Sequence, residues 1–411
     1  MPEALPRPLK ICHLAYSFYE NDNRVVRYAQ TLAGRGDQVD VITLRRPGQA
    51  ARGRLNGVEI YRVQRRSRGE RAAWVYLAKI LSFWLRAFAL LSVVSLRKRY
   101  DIVHVHNVPD FLVFAACVQK LLGARVILDI HDLLPEFYAG KFAASDDSMT
   151  FRALIAAERM SCAFADHVIV ANHLWYDKLK SRSVLSSRCT PILNYPAKEF
   201  FERKPDAAAK TEGSFLLLYP GTLNHHQGVD DAVAAFARVC GRMPGARFLI
   251  HGEGPARESL REQAASLGLT DRVSICDPVP FHQMPTLMAR ADVGVVPKRA
   301  DGFGNEAFST KILEFMASGV PVIVSRTRVD SYYFDEQSVR FFTPGDIDDL
   351  ARQMLWAFEH PRELRNLAAT GNRLALEYSW QRHAGEYTGR IDALACAGRR
   401  ARRSAQVTVV R

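Results

Sequence analysis

The stretch Glu306-Ala-Phe-Ser-Thr-Lys-Ile-Leu-Glu314-Phe-Met-Ala-Ser-Gly-Val-Pro-Val-Ile-Val-Ser325 decides how the rest of this 411-residue chain is read. Ile312, Leu313, Phe315, Met316 and Ala317 recur at helical spacing. Ser309 or Thr310 supplies an N-cap, and Gly319 suits the C-terminal stop before a Pro-Val-Ile-Val strand. Glu306 therefore lies on the loop that feeds the helix, and Glu314 lies inside it. The amides of residues 307 to 310 have no partners within such a helix, and amides at a helix start are suited to phosphate. Carboxylates are poor partners for phosphate but good acceptors from sugar hydroxyls. A helix start for a pyrophosphate, bracketed by one glutamate for a hexose and one for a ribose, describes a nucleotide-sugar pocket. The plainer alternative is an amphipathic helix with two solvated glutamates.

Working outward, Phe215-Leu-Leu-Leu-Tyr219 reads as a strand that opens into Pro220-Gly221-Thr222-Leu-Asn-His-His-Gln227-Gly228. The helix that follows carries Asp230 and Asp231 in its first turn. Phe248 to His251 is a second strand, ending in Gly252-Glu-Gly254-Pro255. Val273 to Cys276 leads to Pro278-Val279-Pro280, and Val293 to Val296 leads to Lys298 and Arg299. The first half repeats the alternation. Leu9 to Ala15, a helix over Arg24 to Ala33, and Gln38 to Leu44 form a βαβ unit without a Gly-x-Gly-x-x-Gly turn. Tyr100 to His106 is another strand, and Val126 to Ile130 delivers His131-Asp132 at its carboxyl end, where parallel sheets meet ligands. Two such series predict two doubly wound α/β domains: residues 1–200, residues 201–377 after a charged, alanine-rich linker at Glu202 to Gly213, and a final helix with a basic tail at 378–411.

Hydrophobic residues make up 48% of the chain and charged residues 24%, as in ordinary globular proteins. Seven scattered cysteines with no Cys-x-x-Cys pair, and no apolar run in the first residues, point to a reducing, cytosolic setting without a zinc cluster. The net charge of +13 is concentrated: residues 45 to 99 hold fourteen Lys and Arg against Glu59 and Glu70. Such a segment suits an anionic membrane or a phosphorylated lipid, and no zinc-finger or RNA-recognition signature accompanies it, so nucleic acid is not expected. Within it, residues 72 to 96 are strongly apolar, interrupted by Lys79, Ser82 and Arg86 on one helical stripe. Two central cations argue against a true span, which leaves a helix in the membrane interface or a core helix of the first domain.

Glu-x7-Glu followed by Met-Ala-x-Gly-Val-Pro-Val resembles the retaining glycosyltransferases of family 4. The resemblance extends over most of the chain, strongest at 215–325 and 100–136, and implies the GT-B arrangement of two Rossmann-like domains facing a cleft. It implies a metal-independent hexosyltransferase using a UDP- or GDP-sugar as co-substrate, with no other cofactor. Glu306 would contact the donor sugar and Glu314 the ribose. His131 would reach the sugar from the first domain, in front-face displacement. Gly221, Gly252, Gly254 and Val279 would line the nucleotide, with Ala307, Phe308, Ser309 and Thr310 at the helix start. In the family, basic residues usually occupy the positions of Thr222 and Gln227, so Lys298 or Lys311 is expected to replace them. Asp22, Arg24 and Arg27 match one branch of the family. Arg24 is expected either at an acceptor phosphate or on a solvated helix face, and Asp132 and Glu136 either at acceptor hydroxyls or as helix caps.

The basic, aromatic helix of the first domain favours a saccharide acceptor linked to lipid through a polyprenyl group, at the cytoplasmic face of the plasma membrane, as in surface polysaccharide assembly. A nucleotide-sugar epimerase of the same architecture, or a non-catalytic nucleotide-sugar binder at the membrane, are the alternatives.

Overall fold

A computed structural model describes residues 8–66, 73–142, 148–202 and 213–409. Most of the expected linker, and Arg68 and Arg71 of the basic segment, lie outside the described residues. The chain divides into two compact units, Met1–Asn194 with Ala384–Arg411, and Tyr195–His383.

The first unit holds eight strands: β1 (Lys10–Ala15), β2 (Gln38–Arg45), β3 (Arg52–Leu55), β4 (Val58–Arg65), β5 (Ile102–His106), β6 (Arg125–Ile130), β7 (His167–Val170) and β8 (Cys189–Pro191). Their order is β3-β4-β2-β1-β5-β6-β7-β8, and every pairing is parallel except β3 with β4. Helices cover both faces of such a sheet, so its strands are continuous apolar runs; Ile11, Val41, Val103, Leu128 and Ile169 are all buried. The chain leaves β1 toward β2 on one side and returns to β5 on the other, placing the switch point between β1 and β5.

The β3–β4 hairpin is absent from the sequence reading, which treats this segment only as basic. Its two-residue loop is Asn56-Gly57, with φ of 49° and 81°. Positive φ at both loop positions matches the right-handed twist of the flanking strands, and Asn-Gly adopts it most readily.

The apolar helix spans Ala73–Ser95. Ile80, Phe83, Ala87 and Leu91 are buried along one face. On the opposite face Leu77 (50% exposed), Leu81 (44%), Leu85 (58%) and Val93 (64%) form an uncovered ridge. The two readings of this helix are thus divided between its two sides: one face is core, the other is apolar and open. It is long and apolar enough to cross a membrane by length and composition.

The second unit has six parallel strands: β9 (Phe215–Pro220), β10 (Ala246–His251), β11 (Val273–Cys276), β12 (Val293–Val296), β13 (Val322–Ser325) and β14 (Arg340–Phe342). Their order is β11-β10-β9-β12-β13-β14, so the switch point lies between β9 and β12. Leu217, Phe236, Phe248, Val295, Ile323 and Met354 belong to its core. The helix Thr310–Ala317 stops where expected: Gly319 takes φ 72°, and the Val320 amide returns to the Phe315 carbonyl. The last helix spans Trp380–Val409, so the basic tail continues the final helix.

Candidate active site

In the second unit the loops leaving β9 and β12 meet at the switch point. Gly228 takes φ 63°, and a Cβ there would stand 2.1 Å from the Pro297 carbonyl oxygen. A Cβ on Gly252 would stand 1.9 Å from the carbonyl oxygen of Gly221, and one on Gly254 2.4 Å from that of Leu223. These glycines let neighbouring loop backbones touch, and the contact is fixed by hydrogen bonds from Gly221 to the His251 carbonyl and from Leu223 to that of Glu253. Val279 sits half-buried in the loop after β11.

Lys311, on the first turn of Thr310–Ala317, lies over this loop. Its Nζ would be 3.1 Å from a Cβ on Gly221, is 3.4 Å from Gln227 Oε1, and sits 5.5 Å from the centre of the Tyr219 ring. The Tyr219 hydroxyl donates to the Thr222 carbonyl at 2.7 Å, and Gln227 Oε1 lies 3.1 Å from the same hydroxyl as the alternative acceptor. Thr222 and Gln227, in the places where cations were usual, act as acceptors that hold Tyr219 and Lys311. Burial lowers the Lys311 ammonium to about 8; Glu314 and Asp330 oppose the shift and Lys298 adds to it.

Lys298 is committed elsewhere. Its side chain is 3% exposed, with Nζ 3.0 Å from Asp330 Oδ2 and 2.6 Å from the Ala307 carbonyl. Asp330 is itself buried, so Lys298 neutralises a carboxylate here, whereas Lys311 is the cation that lies over the glycine loop. Arg299 spans Asp230 and Asp231, both at 2.8 Å. Burial holds His226 below the usual imidazole range, so it is neutral near pH 7 and brings no charge.

At the helix start, Ala307 donates its amide to the Phe303 carbonyl. Of the amides expected to be free from 307 onward, those of Phe308 to Thr310 have no backbone acceptor among the described residues. Ser309 is the N-cap residue, yet its side chain caps nothing, and its Oγ is buried without a hydrogen-bond partner. Phe308 packs edge-on against Tyr333 at 4.9 Å. Glu306 is buried apart from one edge and receives Arg328 at 3.1 Å, while Glu314 is half-buried on the helix.

In the first unit, strand register assembles a histidine–aspartate stack at the switch point. His13 pairs with His104 across β1 and β5, and His106 with Asp129 across β5 and β6. His13 Nδ1 is 3.0 Å from His106 Nε2, and His106 Nδ1 is 3.0 Å from Asp129 Oδ2. His131, just past β6, places Nε2 3.0 Å from the same Asp129 oxygen, and the Asn107 side chain accepts its amide at 2.7 Å. Burial lowers the pKa values of His13, His104 and His106, leaving them uncharged near pH 7. Burial alone would raise Asp129, but Arg24 and His131 hold it well below the carboxylate range.

Arg24 differs from both of its expectations. It is buried, with Nε and Nη2 on Asp129 at 2.8 and 2.7 Å and Nη1 on the Ile192 carbonyl at 2.8 Å. Every arm is engaged inside the unit, so neither a phosphate contact nor a solvated face describes it. Glu136 is held by Arg182 at 2.6 and 3.0 Å and is not open to an acceptor. Asp132 is half-buried, and burial raises its pKa against the pull of His131.

The stack brings possible metal ligands together: His13, His104 and His106, or His106, Asp129 and His131. The geometry does not fit an ion. The rings of His104 and His106 stack with centres 4.3 Å apart at 24°, so their in-plane lone pairs run alongside instead of converging, and Arg24 occupies both oxygens of Asp129.

Two family models divide nearly the whole chain: Glycosyl transferase 4-like domain matches residues 22–194, and Glycosyl transferases group 1 matches residues 200–373. The chain belongs to the family 4 glycosyltransferases. Its two parallel-sheet units are those of the GT-B fold. The enzyme is 25% identical over 333 residues to the phosphatidylinositol N-acetylglucosaminyltransferase gpi3 subunit of Schizosaccharomyces pombe, covering 80% of this chain and 68% of that one. It is 29% identical over 321 residues to 2-deoxystreptamine N-acetyl-D-glucosaminyltransferase of Streptomyces fradiae, covering 73% and 72%. In fold it is similar to the Anabaena protein Alr3699/HepE in complex with UDP, with a TM-score of 0.68 and 16% identity over 94% of this chain and all of that one.

For this glycosyltransferase the sequence reading missed Asp129, His13 and Asn107. Asp129 had a signal: a carboxylate inside a buried strand, two residues before His131 and therefore on the same face. His13 and Asn107 had none, since their roles depend on which strands are neighbours.

Proposed function

We propose that the enzyme transfers a hexosyl group from a UDP-sugar to a lipid-linked saccharide acceptor, with retention at the anomeric carbon and without a metal. The observation that carries the donor side is Lys311 held over Gly221 and Gln227, next to the open amides from Phe308 to Thr310 and the unpartnered Ser309 hydroxyl. A cation and amides at one helix start supply what a leaving diphosphate needs, charge neutralisation and donated hydrogen bonds. Glu306 accepts from the hexose hydroxyls, Glu314 from the ribose, and His131, oriented by Asp129, from the sugar. Gly252, Gly254 and Val279 lie along the nucleotide.

In the transfer, the acceptor hydroxyl oxygen bonds to the anomeric carbon on the face from which the diphosphate departs. The carbon–oxygen bond to the β-phosphate breaks with its electron pair, and the hydroxyl proton passes to that phosphate oxygen. Two relatives are N-acetylglucosaminyltransferases by name, one acting on phosphatidylinositol, and a structural neighbour was solved with UDP, which makes UDP-N-acetylglucosamine the first donor to test. The basic segment and the open ridge of Ala73–Ser95 support a lipid-linked acceptor met at the cytoplasmic face of the plasma membrane, with the enzyme peripheral on anionic lipid.

The test incubates the full chain with UDP-sugars and GDP-sugars, with and without isoprenyl-diphosphate-linked saccharides, and follows product anomers by proton NMR. Acceptor-dependent release of UDP with the donor's α configuration kept is the expected result. Donor turnover to an epimer without acceptor, or tight donor binding with no turnover, would overturn the reading.

A further inference from the structure

The first unit contains a second concave site, away from the histidine stack. It is a pocket of about 820 Å³ at the carboxyl ends of β2 and β4, walled by Arg45, Arg52, Arg62, Arg65 and Arg86 together with Leu90. Among the described residues, no carboxylate lines it. A pocket with five guanidinium groups is electrostatically costly unless something anionic enters it.

The chain neutralises only part of this charge. Arg62 is paired with Glu20 at 2.5 Å, and Arg52 rests on the Tyr61 ring at 5.0 Å. Arg86 is tied loosely, 3.3 Å from the Ser82 hydroxyl and 3.4 Å from the Val63 carbonyl. Arg45 and Arg65, the last residues of β2 and β4, make no side-chain hydrogen bond or ion pair among the described residues, and Arg45 Nε is buried without a partner. Guanidinium forks match phosphate oxygens in bidentate geometry, and the carboxyl ends of parallel strands are where such ligands are met.

The pocket opens onto apolar surface. Arg86, Ala89 and Leu90 line it and belong to Ala73–Ser95, and Ala89 continues the i, i+4 ridge of Leu77, Leu81, Leu85 and Val93. That ridge is roughly 24 Å long at 1.5 Å per residue. An arginine cage at the side of an uncovered aliphatic ridge matches one ligand chemistry: a diphosphate esterified to a long hydrocarbon chain.

We infer that this pocket binds the diphosphate of an isoprenyl-diphosphate-linked acceptor, with the hydrocarbon lying along the ridge. Arg45, Arg65 and Arg86 hold the phosphate oxygens, and Arg52 and Arg62 complete the positive wall. This rests on the lipid-linked acceptor proposed above and assigns it a site: the diphosphate anchors in the pocket and the saccharide it carries stays outside it.

The test uses the full chain and farnesyl diphosphate as the probe, with farnesol and inorganic pyrophosphate for comparison, by titration calorimetry. Farnesyl diphosphate should bind at least about tenfold more tightly than either fragment, because both chemistries are engaged. R45Q/R65Q should weaken that binding about 10- to 100-fold, with the melting temperature unchanged. L81S/L85S should weaken farnesyl diphosphate but not pyrophosphate. Equal affinity of R45Q/R65Q and wild type for farnesyl diphosphate, or farnesol binding as tightly, overturns the site. So does binding to phosphatidylcholine–phosphatidylglycerol vesicles alone, with no affinity for the soluble probe. If farnesyl diphosphate binds as expected but no nucleotide sugar is turned over, the transfer reading fails and the pocket stands. If an isoprenyl-diphosphate-linked saccharide is glycosylated while the probe ignores the arginines, the pocket fails and the transfer reading stands.

Discussion

Lys311 offers the sharpest test of the donor side, because its protonation is poised near working pH. Burial lowers it to about 8, and a diphosphate arriving beside Nζ favours the charged form. Binding therefore raises its pKa above the free-enzyme value. The sign follows: the contribution to donor affinity is complete below about 8 and is lost as pH rises through that value. With the ammonium roughly nine-tenths protonated at pH 7 and about one-tenth at pH 9, UDP affinity should fall about tenfold, ~1.4 kcal/mol, over that interval. K311Q removes the charge outright, and should weaken UDP about 10- to 100-fold at pH 7 with no slope in the same interval. Titration calorimetry at several pH values, wild type against K311Q, separates this effect from any titration of the nucleotide, which both proteins share. A flat wild-type profile, or the same slope in K311Q, would refute the assignment. Lys298 makes the contrast. K298M strands the buried Asp330 carboxylate, so it should lower stability by about 3–5 kcal/mol rather than change the pH slope of binding.

Other consequences can be checked on the same protein. Glu306→Ala should cut sugar transfer by about 10²-fold or more while circular dichroism shows an intact fold, and near-normal turnover would remove it from the reaction. D129N releases the buried Arg24 guanidinium and the His131 ring together; urea unfolding should register about 3–5 kcal/mol of lost stability, and a loss below about 1 kcal/mol would show that Arg24 finds another partner. Gly252→Ala places a methyl 1.9 Å from the Gly221 carbonyl oxygen, so it should cost about 1–3 kcal/mol and weaken UDP by shifting the loop under Lys311. An unchanged melting temperature would mean that the two loops separate freely.

How legible this was in the sequence depended on the range of each interaction. The helix after Glu306, its stop at Gly319 and the two glutamates follow from spacing within twenty residues, and local pattern is enough for that. Asn56-Gly57 is an equally local signal, a dipeptide suited to positive φ at both loop positions. Arg24 is the opposite case. On its own helix it reads as a polar position at the edge of an apolar face, and its partner Asp129 is 105 residues away. Only the neighbouring of β1, β5 and β6 turns it inward, and one sequence carries no direct mark of which strands are neighbours. The same limit applies to Lys311, whose contact with Gln227 spans 84 residues.

The missing cations of the Gly221–Gly228 loop become intelligible through that contact. A cation on a glycine loop moves with the loop, whereas Lys311 is fixed to the helix that also bears Glu314 and begins with the open amides of Phe308 to Thr310. Under the proposed donor site, pyrophosphate charge, amide donors and the ribose carboxylate would be carried by one short rigid element, with Gln227, 3.4 Å from the Lys311 ammonium, left the smaller task of positioning it. A Lys in the loop would place a second cation against Lys311, whose ammonium is already lowered to about 8 by burial. Gln227→Lys should therefore lower the Lys311 pKa further and shift the fall in UDP affinity to lower pH. If the loop cation merely added to the site, the variant would instead bind UDP more tightly with the midpoint of the fall unmoved.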